Sequence, residues 1–201
     1  MNRWDERYTG EAFLFGTTPN AFLVAQKERL PATGSALAVA DGEGRNGVWL
    51  AEQGLHVLAV DASQVGLAKS RQLAAERGVS MQQELADLAQ WDFGHERFDV
   101  IAAIFIQFAD PALRERLFAG MQAALKPGGL LLLEGYRPEQ LDYATGGPPE
   151  IENLYTEALL RDGFPTLEIE HLAVYDTEIH EGAGHHGMSA LIDLVVRKPK
   201  G

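Results

Sequence analysis

The sequence predicts an α/β protein built on a doubly wound, mostly parallel sheet. Apolar runs rich in strand-forming residues alternate with longer helical stretches from residue 35 onward, which is the pattern of repeated βαβ units. Residues 98–105 are almost wholly apolar, as expected of a central strand covered on both faces. The last two strand-like runs have no helix between them. We therefore expect an antiparallel pair to close the sheet.

Local signals predict the elements of the first half of the chain. Strands are expected at residues 35–40, 56–61 and 79–83, and helices at 46–53 and 63–77. Gly54 ends the first helix, Ser63 is the N-cap of the second, and Gly78 follows its last residue. About 34 residues precede the first strand, and their aromatic content suggests an N-terminal helical cap.

The second half is predicted in the same way. Strands are expected at residues 98–105, 130–134, 167–177 and 189–197, and helices at 111–126 and 151–161. Asp110 and Pro111 form the N-cap and first position of the earlier helix. Residues 127–129 (PGG) predict a hard turn, and 181–187 (EGAGHHG) predict a loop between the last two strands.

Composition limits the functions to be considered. The chain has 201 residues, a length that fits one domain with a cap at 1–34 and a core at 35–201. Its 17 Lys+Arg and 29 Asp+Glu residues give a formal net charge of −12, so no nucleic-acid partner is expected. No cysteine is present, which excludes thiolate catalysis and thiolate metal sites. Without a long apolar run or a signal peptide, we expect a cytoplasmic protein with no membrane partner.

A Gly-rich turn after the first strand carries the main chemical signal. Gly42, Gly44 and Gly47 form a G-x-G-x-x-G pattern, in which bare backbone can approach a ligand. Asp61 ends the next strand, where a carboxylate can accept both ribose hydroxyls of an adenosine. The alternative is a tight strand–helix turn followed by a solvated aspartate. Turn and aspartate together favour an adenosine-bearing cofactor.

Two cofactors fit that pattern, and Asp41 discriminates between them. A carboxylate directly before Gly42 would repel the pyrophosphate of a nicotinamide dinucleotide, whereas S-adenosylmethionine has no phosphate and carries a cationic sulfonium. S-adenosylmethionine is therefore favoured. An NAD(P)-dependent oxidoreductase and a non-catalytic S-adenosylmethionine-binding protein stay as alternatives.

Longer motifs carry a resemblance that spans nearly the whole chain. The segments ALAVADGEGRNGVWLAEQG, HVLAVDAS, FDVIAAIF and LKPGGLLLLEGY resemble the class I S-adenosylmethionine-dependent methyltransferases. WDERY, FLFGTTPNAFL and EGAGHHG are similar to their tellurite-resistance and thiopurine-methyltransferase-like branch. The resemblance implies one methyltransferase domain over residues 1–201, with a Rossmann-like sheet of about seven strands whose last strand is reversed. It also implies a small-molecule acceptor, such as a thiol or a metalloid oxyanion, and a monomer or homodimer.

The resemblance also implies the cofactor-binding positions. They are Trp4, Tyr8, Ala40, Asp41, Gly42, Gly44, Arg45, Asp61, Ala62, Glu84, Leu85, Ile104 and Phe105. Glu84 is expected to accept from the adenine amine, with Asp87 as the second candidate and a solvated loop acid as the alternative for both. The chain has Ala38 and Ala40 where the family has an acid and a glycine, and Asp41 or Arg45 is expected to compensate.

Acceptor and catalytic candidates lie later in the chain. The strand after LKPGG brings Glu134, Tyr136 and Arg137 to the carboxyl edge of the sheet, where such folds bind ligands. His185 matches the family's loop histidine, although a surface hairpin loop is an equal interpretation. The catalytic candidates are therefore His185, Tyr136 and Arg137, with Tyr143 on the following loop. No metal site is expected, because the nearby histidines lack completing ligands.

The expected mechanism depends on the acceptor. A thiolate, a selenide or a metalloid oxyanion is nucleophilic enough to need no general base, and we expect an acceptor of this kind. An O- or N-acceptor would need one, and His185, Glu134 and Tyr136 are then the candidates. The N-terminal aromatic residues are expected either to form a lid over both ligands or to pin the cap as a hydrophobic cluster: Trp4, Tyr8, Phe13 and Phe15.

Overall fold

Seven strands form one mixed sheet in the computed structural model, which describes residues 3–200. The strands are β1 (Ser35–Val39), β2 (His56–Asp61), β3 (Gln82–Leu85), β4 (Phe98–Ile104), β5 (Leu125–Tyr136), β6 (Glu168–Glu181) and β7 (His185–Arg197). Their order is β3-β2-β1-β4-β5-β7-β6, and β7 runs antiparallel to both of its neighbours. The predicted Rossmann-like sheet with a reversed last strand is confirmed. The first two residues and the last residue of the predicted domain lie outside the described part.

Helices cover both faces of the sheet. They are α1 (Arg3–Tyr8), α2 (Ala21–Ala25), α3 (Arg45–Glu52), α4 (Gln64–Glu76), α5 (Pro111–Ala124), α6 (Gln140–Tyr143) and α7 (Glu157–Gly163), with 3₁₀ turns at Lys27–Arg29 and Ile151–Asn153. Helices α1 and α2 belong to the predicted N-terminal cap. The predicted caps of α4 and α5 are also confirmed, because Ser63 accepts from the backbone nitrogen of Gly66 and Asp110 from that of Leu113.

The buried strands alternate between two cores. Leu131 and Leu133 of β5 pack into one apolar cluster, and Leu130 and Leu132 pack into the other. This arrangement explains the continuous apolar run of β5, since both faces of a covered strand must be apolar. Within the described residues, no helix combines the length and the apolar character needed to cross a membrane.

Two element predictions are wrong for local reasons. The third strand begins at Gln82, because the backbone nitrogens of Gly78 and Val79 bond back to Ala75 and Ala74 and so complete the end of α4. The predicted helix at 151–161 is interrupted. Tyr155 donates its backbone N–H to the carbonyl of Tyr136, and Thr156 then caps α7.

Two loops are shorter than predicted. The PGG sequence lies within β5 as an irregularity of its pairing with β4, where Phe98 pairs with Leu125 but Val100 pairs with Leu130. The β6–β7 turn contains only residues 182–184, because β6 continues to Glu181 and β7 starts at His185. His185 is therefore a buried strand residue, and the surface-loop interpretation is wrong.

Candidate active site

A cavity of about 270 Å³ lies at the carboxyl ends of β1, β2 and β4. The strand order reverses between β1 and β4, which is where doubly wound sheets bind ligands. Ten predicted site residues line this cavity: Trp4, Tyr8, Ala40, Asp41, Arg45, Asp61, Ala62, Ile104, Phe105 and His185. We call it the donor cavity.

Gly42 and Gly44 shape the donor cavity without lining it. Gly42 has a φ of +57°, and a Cβ there would lie 2.6 Å from the Tyr8 hydroxyl oxygen. Gly44 has a φ of +92°, and a Cβ there would collide with Ser70 of α4. Both positions thus require glycine for backbone conformation and for close packing of the cap and α4.

Asp61 joins the end of β2 to the Gly-rich turn. Its Oδ2 accepts from the backbone nitrogen of Gly42 at 2.8 Å, and its Oδ1 accepts from that of Ser63 at 2.7 Å. Burial raises the pKa of this carboxyl, while the backbone donors oppose that shift. Each carboxylate oxygen has two lone pairs, so Asp61 keeps acceptor capacity towards the cavity.

Left-handed backbone occurs at two cavity residues that are not glycine. Ala40 follows β1 with a φ of +51°, and Phe105 follows β4 with a φ of +54°. Such conformations are strained for residues with a side chain and often occur at ligand sites. Ala40 thus adopts a conformation that a glycine would take without strain.

Arg45 and Asp41 place opposite charges in the wall of the donor cavity. Arg45 opens α3 and is buried, with its Nη2 2.7 Å from Oε2 of Glu181. Its Nη1 is buried and has no hydrogen-bond partner among residues 3–200. Asp41 accepts from the backbone nitrogen of Gly47 through Oδ1, and burial raises the pKa of Asp41 to about 7.

The structure separates the two candidates near the end of β3, Glu84 and Asp87. Glu84 accepts from the indole nitrogen of Trp91 at 2.7 Å and does not line the donor cavity. Leu85 is also outside it, with 56% of its surface exposed. Asp87 and Leu88 do line the cavity, so the second candidate of the sequence analysis is the one in contact with it.

A second cavity of about 240 Å³ adjoins the donor cavity, and we call it the acceptor cavity. The two share one wall, which is made of Trp4, Phe15, Phe105, Phe108 and His185. Its other boundaries include Tyr136, the 146–150 loop, and the arginines Arg3 and Arg7 of α1. The guanidinium of Arg7 lies 4.7 Å from the ring centre of Trp4.

His185 and Tyr136 form a buried pair at the junction. His185 Nδ1 lies 2.8 Å from the Tyr136 hydroxyl, and the imidazole packs on the rings of Phe15 and Phe105. Burial, with smaller effects of Arg45 and Arg7, lowers the pKa of His185 to about 3. Burial raises the pKa of Tyr136. Both groups are therefore neutral near pH 7.

Other candidates lie outside both cavities. Arg137 pairs with Asp176 and Glu139, and Tyr143 also donates to Asp176. Glu134 faces a third cavity on the cap side of the sheet. No group of three or more metal-binding side chains is found in the described part of the chain.

Sequence reasoning missed several lining residues, namely Arg3, Arg7, Asn46, Leu88, Gln107, Phe108, Leu113 and Asn153. Asn46 had a usable signal, because it directly follows Arg45 in the turn that opens α3. Phe108 and Gln107 follow the end of β4 at the same sheet edge, a position that also marks candidates.

Comparison with known proteins finds one matching family model. Residues 36–129 match a family model described as a methyltransferase domain. The matched region covers just under half of the chain and contains the Gly-rich turn and Asp61. No curated protein matches the sequence significantly.

Solved structures extend the likeness to the whole fold. A protein from work on the conversion of a disulfide bond into a thioacetal group during echinomycin biosynthesis is 18% identical, with a TM-score of 0.76 over 98% of this chain and 92% of that one. A SAM-dependent methyltransferase from Methanosarcina mazei is 16% identical, with a TM-score of 0.72 over 91% of this chain and 100% of that one. TehB from Haemophilus influenzae is 16% identical, with a TM-score of 0.73 over 97% of this chain and 65% of that one.

The matched methyltransferase domain and the shared fold agree with the methyltransferase class predicted from the sequence. A domain of this class implies S-adenosylmethionine as the methyl donor. The narrower tellurite-resistance and thiopurine-methyltransferase-like branch stays a prediction.

Proposed function

We propose that residues 1–201 form one cytoplasmic methyltransferase domain that transfers a methyl group from S-adenosylmethionine to a small, strongly nucleophilic acceptor. The observation that carries this proposal is the wall shared by the donor and acceptor cavities. Methyl transfer requires two ligands in direct contact with water kept away, and two adjoining cavities with aromatic lining residues in common suit that need.

The donor cavity has residues suited to the ribose, the adenine and the amino-acid group of S-adenosylmethionine. Asp61 retains acceptor capacity for the ribose hydroxyls, and Asp87 with Leu88 is available to the adenine ring. Arg45 has a buried Nη1 donor without a partner, which suits a carboxylate such as that of an amino acid. When bound, S-adenosylmethionine supplies a methyl group already activated on a sulfonium.

The acceptor cavity favours an acceptor that needs no base. His185, with a pKa near 3, is too weak a base to deprotonate an alcohol or an ammonium group, and Tyr136 stays a phenol. Thiolates, selenides and metalloid oxyanions are nucleophiles without further deprotonation. Arg3 and Arg7 at the boundary also favour an anion. One of the similar structures acts in sulfur chemistry, the conversion of a disulfide into a thioacetal, which agrees with a sulfur acceptor.

The first experiment measures thermal unfolding with S-adenosylhomocysteine, S-adenosylmethionine, NAD and NADP in parallel. A ligand at a hundred times its dissociation constant stabilises by about 2.7 kcal/mol. In a chain of this size each kcal/mol moves the midpoint by about 2–4 °C. We expect a shift with the two S-adenosyl compounds alone. A shift with NAD or NADP alone would overturn the proposal in favour of the oxidoreductase.

Turnover distinguishes an enzyme from a cofactor-binding protein without catalysis. Methylation is measured with radiolabelled donor against 2-mercaptoethanol, selenite and tellurite. We expect label transfer to at least one of them. Donor binding without transfer to any thiol or oxyanion would contradict the proposed acceptor class, and the non-catalytic alternative would then be favoured.

A further inference from the structure

A third cavity, of about 610 Å³, lies between α2 and the outer part of the sheet. Strands β5, β7 and β6 form its floor, and the proposed methyl transfer does not use it. Its boundary contains four carboxylate residues but no lysine or arginine: Glu134, Glu178, Glu181 and Asp193. We call it the acidic cavity.

Two of these carboxyls lie side by side on the floor. Glu134 of β5 pairs directly with Asp193 of β7, so both side chains project from the same face of the sheet. Leu191 and Asp193 line the cavity, whereas Ile192 and Leu194 between and after them pack into the core on the opposite face. Strand alternation therefore directs the Asp193 side chain into the acidic cavity.

Glu134 and Asp193 have no lysine or arginine partner among the described residues, and a nearby ionisable side chain at the cavity is that of His171. Asp193 is 5% exposed and Glu134 is 2% exposed, and neither forms an ion pair with a lysine or an arginine within residues 3–200. Asn20 donates to Glu134 at 2.7 Å and the Tyr175 hydroxyl does so at 3.5 Å, but Oδ1 of Asp193 is buried without a hydrogen-bond partner in the described part of the chain. An unsatisfied buried carboxyl oxygen is costly, and Asp193 lines the cavity, so a hydrogen-bond donor from outside the chain would stabilise it.

We propose that the acidic cavity binds a small organic cation, specifically a primary alkylammonium ion. The ammonium group donates to Asp193 and Glu134, and the alkyl chain lies against Phe22, Ile179 and Leu191. Tyr175, on the same floor, adds an aromatic ring near the positive charge. A bare metal ion fits less well, because the described residues contain no metal-binding group of three or more ligands and the cavity is much larger than an ion.

Neighbouring charges agree with this assignment. Burial and the facing Asp193 carboxyl raise the pKa of Glu134, which disfavours two negative charges side by side where no cation is bound. An ammonium ion supplies the opposite charge together with hydrogen-bond donors. Glu181 lies between the proposed ammonium ion and the donor cavity, and its Oε2 pairs with Arg45 2.7 Å away.

Calorimetric titration with n-butylammonium and n-butanol tests the proposal, because the two probes share size and shape and differ in charge. At constant pH we expect n-butylammonium to bind at least about tenfold more tightly, as a charge-assisted hydrogen bond implies. Asp193→Asn should remove that preference. Asp162→Asn, an exposed position on α7 outside the cavity, should keep it. Equal affinity of the wild type for both probes, or equal loss in both variants, would overturn the proposal.

A comparison on the wild type alone covers the case in which Asp193→Asn does not fold. n-Butyltrimethylammonium keeps the charge but has no N–H donor. We expect it to bind at least about tenfold more weakly than n-butylammonium, since Oδ1 of Asp193 requires a donor. Equal binding of the two cations would contradict the site. None of these probes involves methyl transfer, so the result is independent of the proposed function.

Discussion

The Asp61 carboxylate and the backbone nitrogen of Gly42 are 2.8 Å apart, and this hydrogen bond joins β2 to the turn that follows β1. The two strands are parallel neighbours, so the contact forms between their carboxyl ends. One side chain therefore both fixes the Gly-rich turn and offers acceptor oxygens to the donor cavity.

Asp61→Ala should weaken binding of S-adenosylhomocysteine by about 10- to 100-fold, because charge-assisted hydrogen bonds contribute about 1.5–3 kcal/mol. Isothermal titration measures the loss directly. Asp142→Ala, an exposed residue of α6, is the control and should bind as the wild type does. Unchanged affinity of Asp61→Ala would rule out Asp61 as part of the donor site.

Ala40→Gly should raise stability by up to about 1 kcal/mol. The left-handed conformation costs about 1–2 kcal/mol for a residue with a Cβ, and glycine loses about 0.5–1 kcal/mol in chain entropy. Ala38→Gly is a matched control two residues earlier, within β1, where the same entropy loss has no strain to offset. Thermal unfolding should therefore shift the two midpoints in opposite directions. A lower midpoint for Ala40→Gly would contradict the argument.

Asp41 should make the unliganded protein less stable as the pH rises. Its pKa is about 7 in the folded chain and near 3.8 when unfolded, so between these values the folded state binds more protons. Stability is thus lost as the pH rises from about 4 to about 7. Asp41→Asn should remove this part of the pH dependence and raise the midpoint at pH 8 relative to the wild type.

Thermal scans at pH 5 and pH 8 measure that difference. Asp142→Asn serves as the control and should follow the wild-type profile. If Asp41→Asn is destabilised by the same amount at both pH values, the carboxyl is ionised throughout and the raised pKa is refuted.

Local chemistry explains which elements could be predicted from sequence. Ser63 and Asp110 act on backbone groups three residues away, so their helices are readable from neighbours alone. The start of β3 was misplaced because Val79 looks like a strand residue, yet its N–H completes the end of α4. The interruption after Asn153 depends on Tyr136, nineteen residues before Tyr155, and no local pattern contains that contact.

Some candidate site residues could be named from local sequence, whereas others come together only in the folded chain. Asp61 ends β2 and could be named from its spacing to the Gly-rich turn, and the family resemblance brought forward Arg45 at the start of α3. Phe15, Phe105 and His185 meet only because three distant segments converge on one wall. The family resemblance indicated His185 as a candidate. Its burial could be inferred only from the structure, in which β7 begins at His185.

His185 should not act as a general base. With a pKa near 3, its imidazole should show no titration between pH 5 and pH 8 in proton NMR, the resonance being assigned by its absence from His185→Gln. If a thiol is the acceptor, His185→Gln should keep kcat within about tenfold, whereas removal of a general base costs about 10²- to 10⁴-fold. A loss of kcat in that larger range would show that His185 acts as a general base. So would an NMR titration near pH 6–7 that is absent from the variant.

Arg7 should contribute to acceptor recognition and not to donor binding. Its guanidinium lies over Trp4 and 5.7 Å from the ring centre of Phe15, both in the shared wall, and the acceptor cavity is the one it borders. Arg7→Gln should therefore raise KM for 3-mercaptopropionate several-fold more than for 2-mercaptoethanol, since only the former carries a carboxylate. Affinity for S-adenosylhomocysteine should stay unchanged. Arg71→Gln removes an exposed charge of α4 that borders neither cavity, and equal effects of the two variants would show that only overall charge matters.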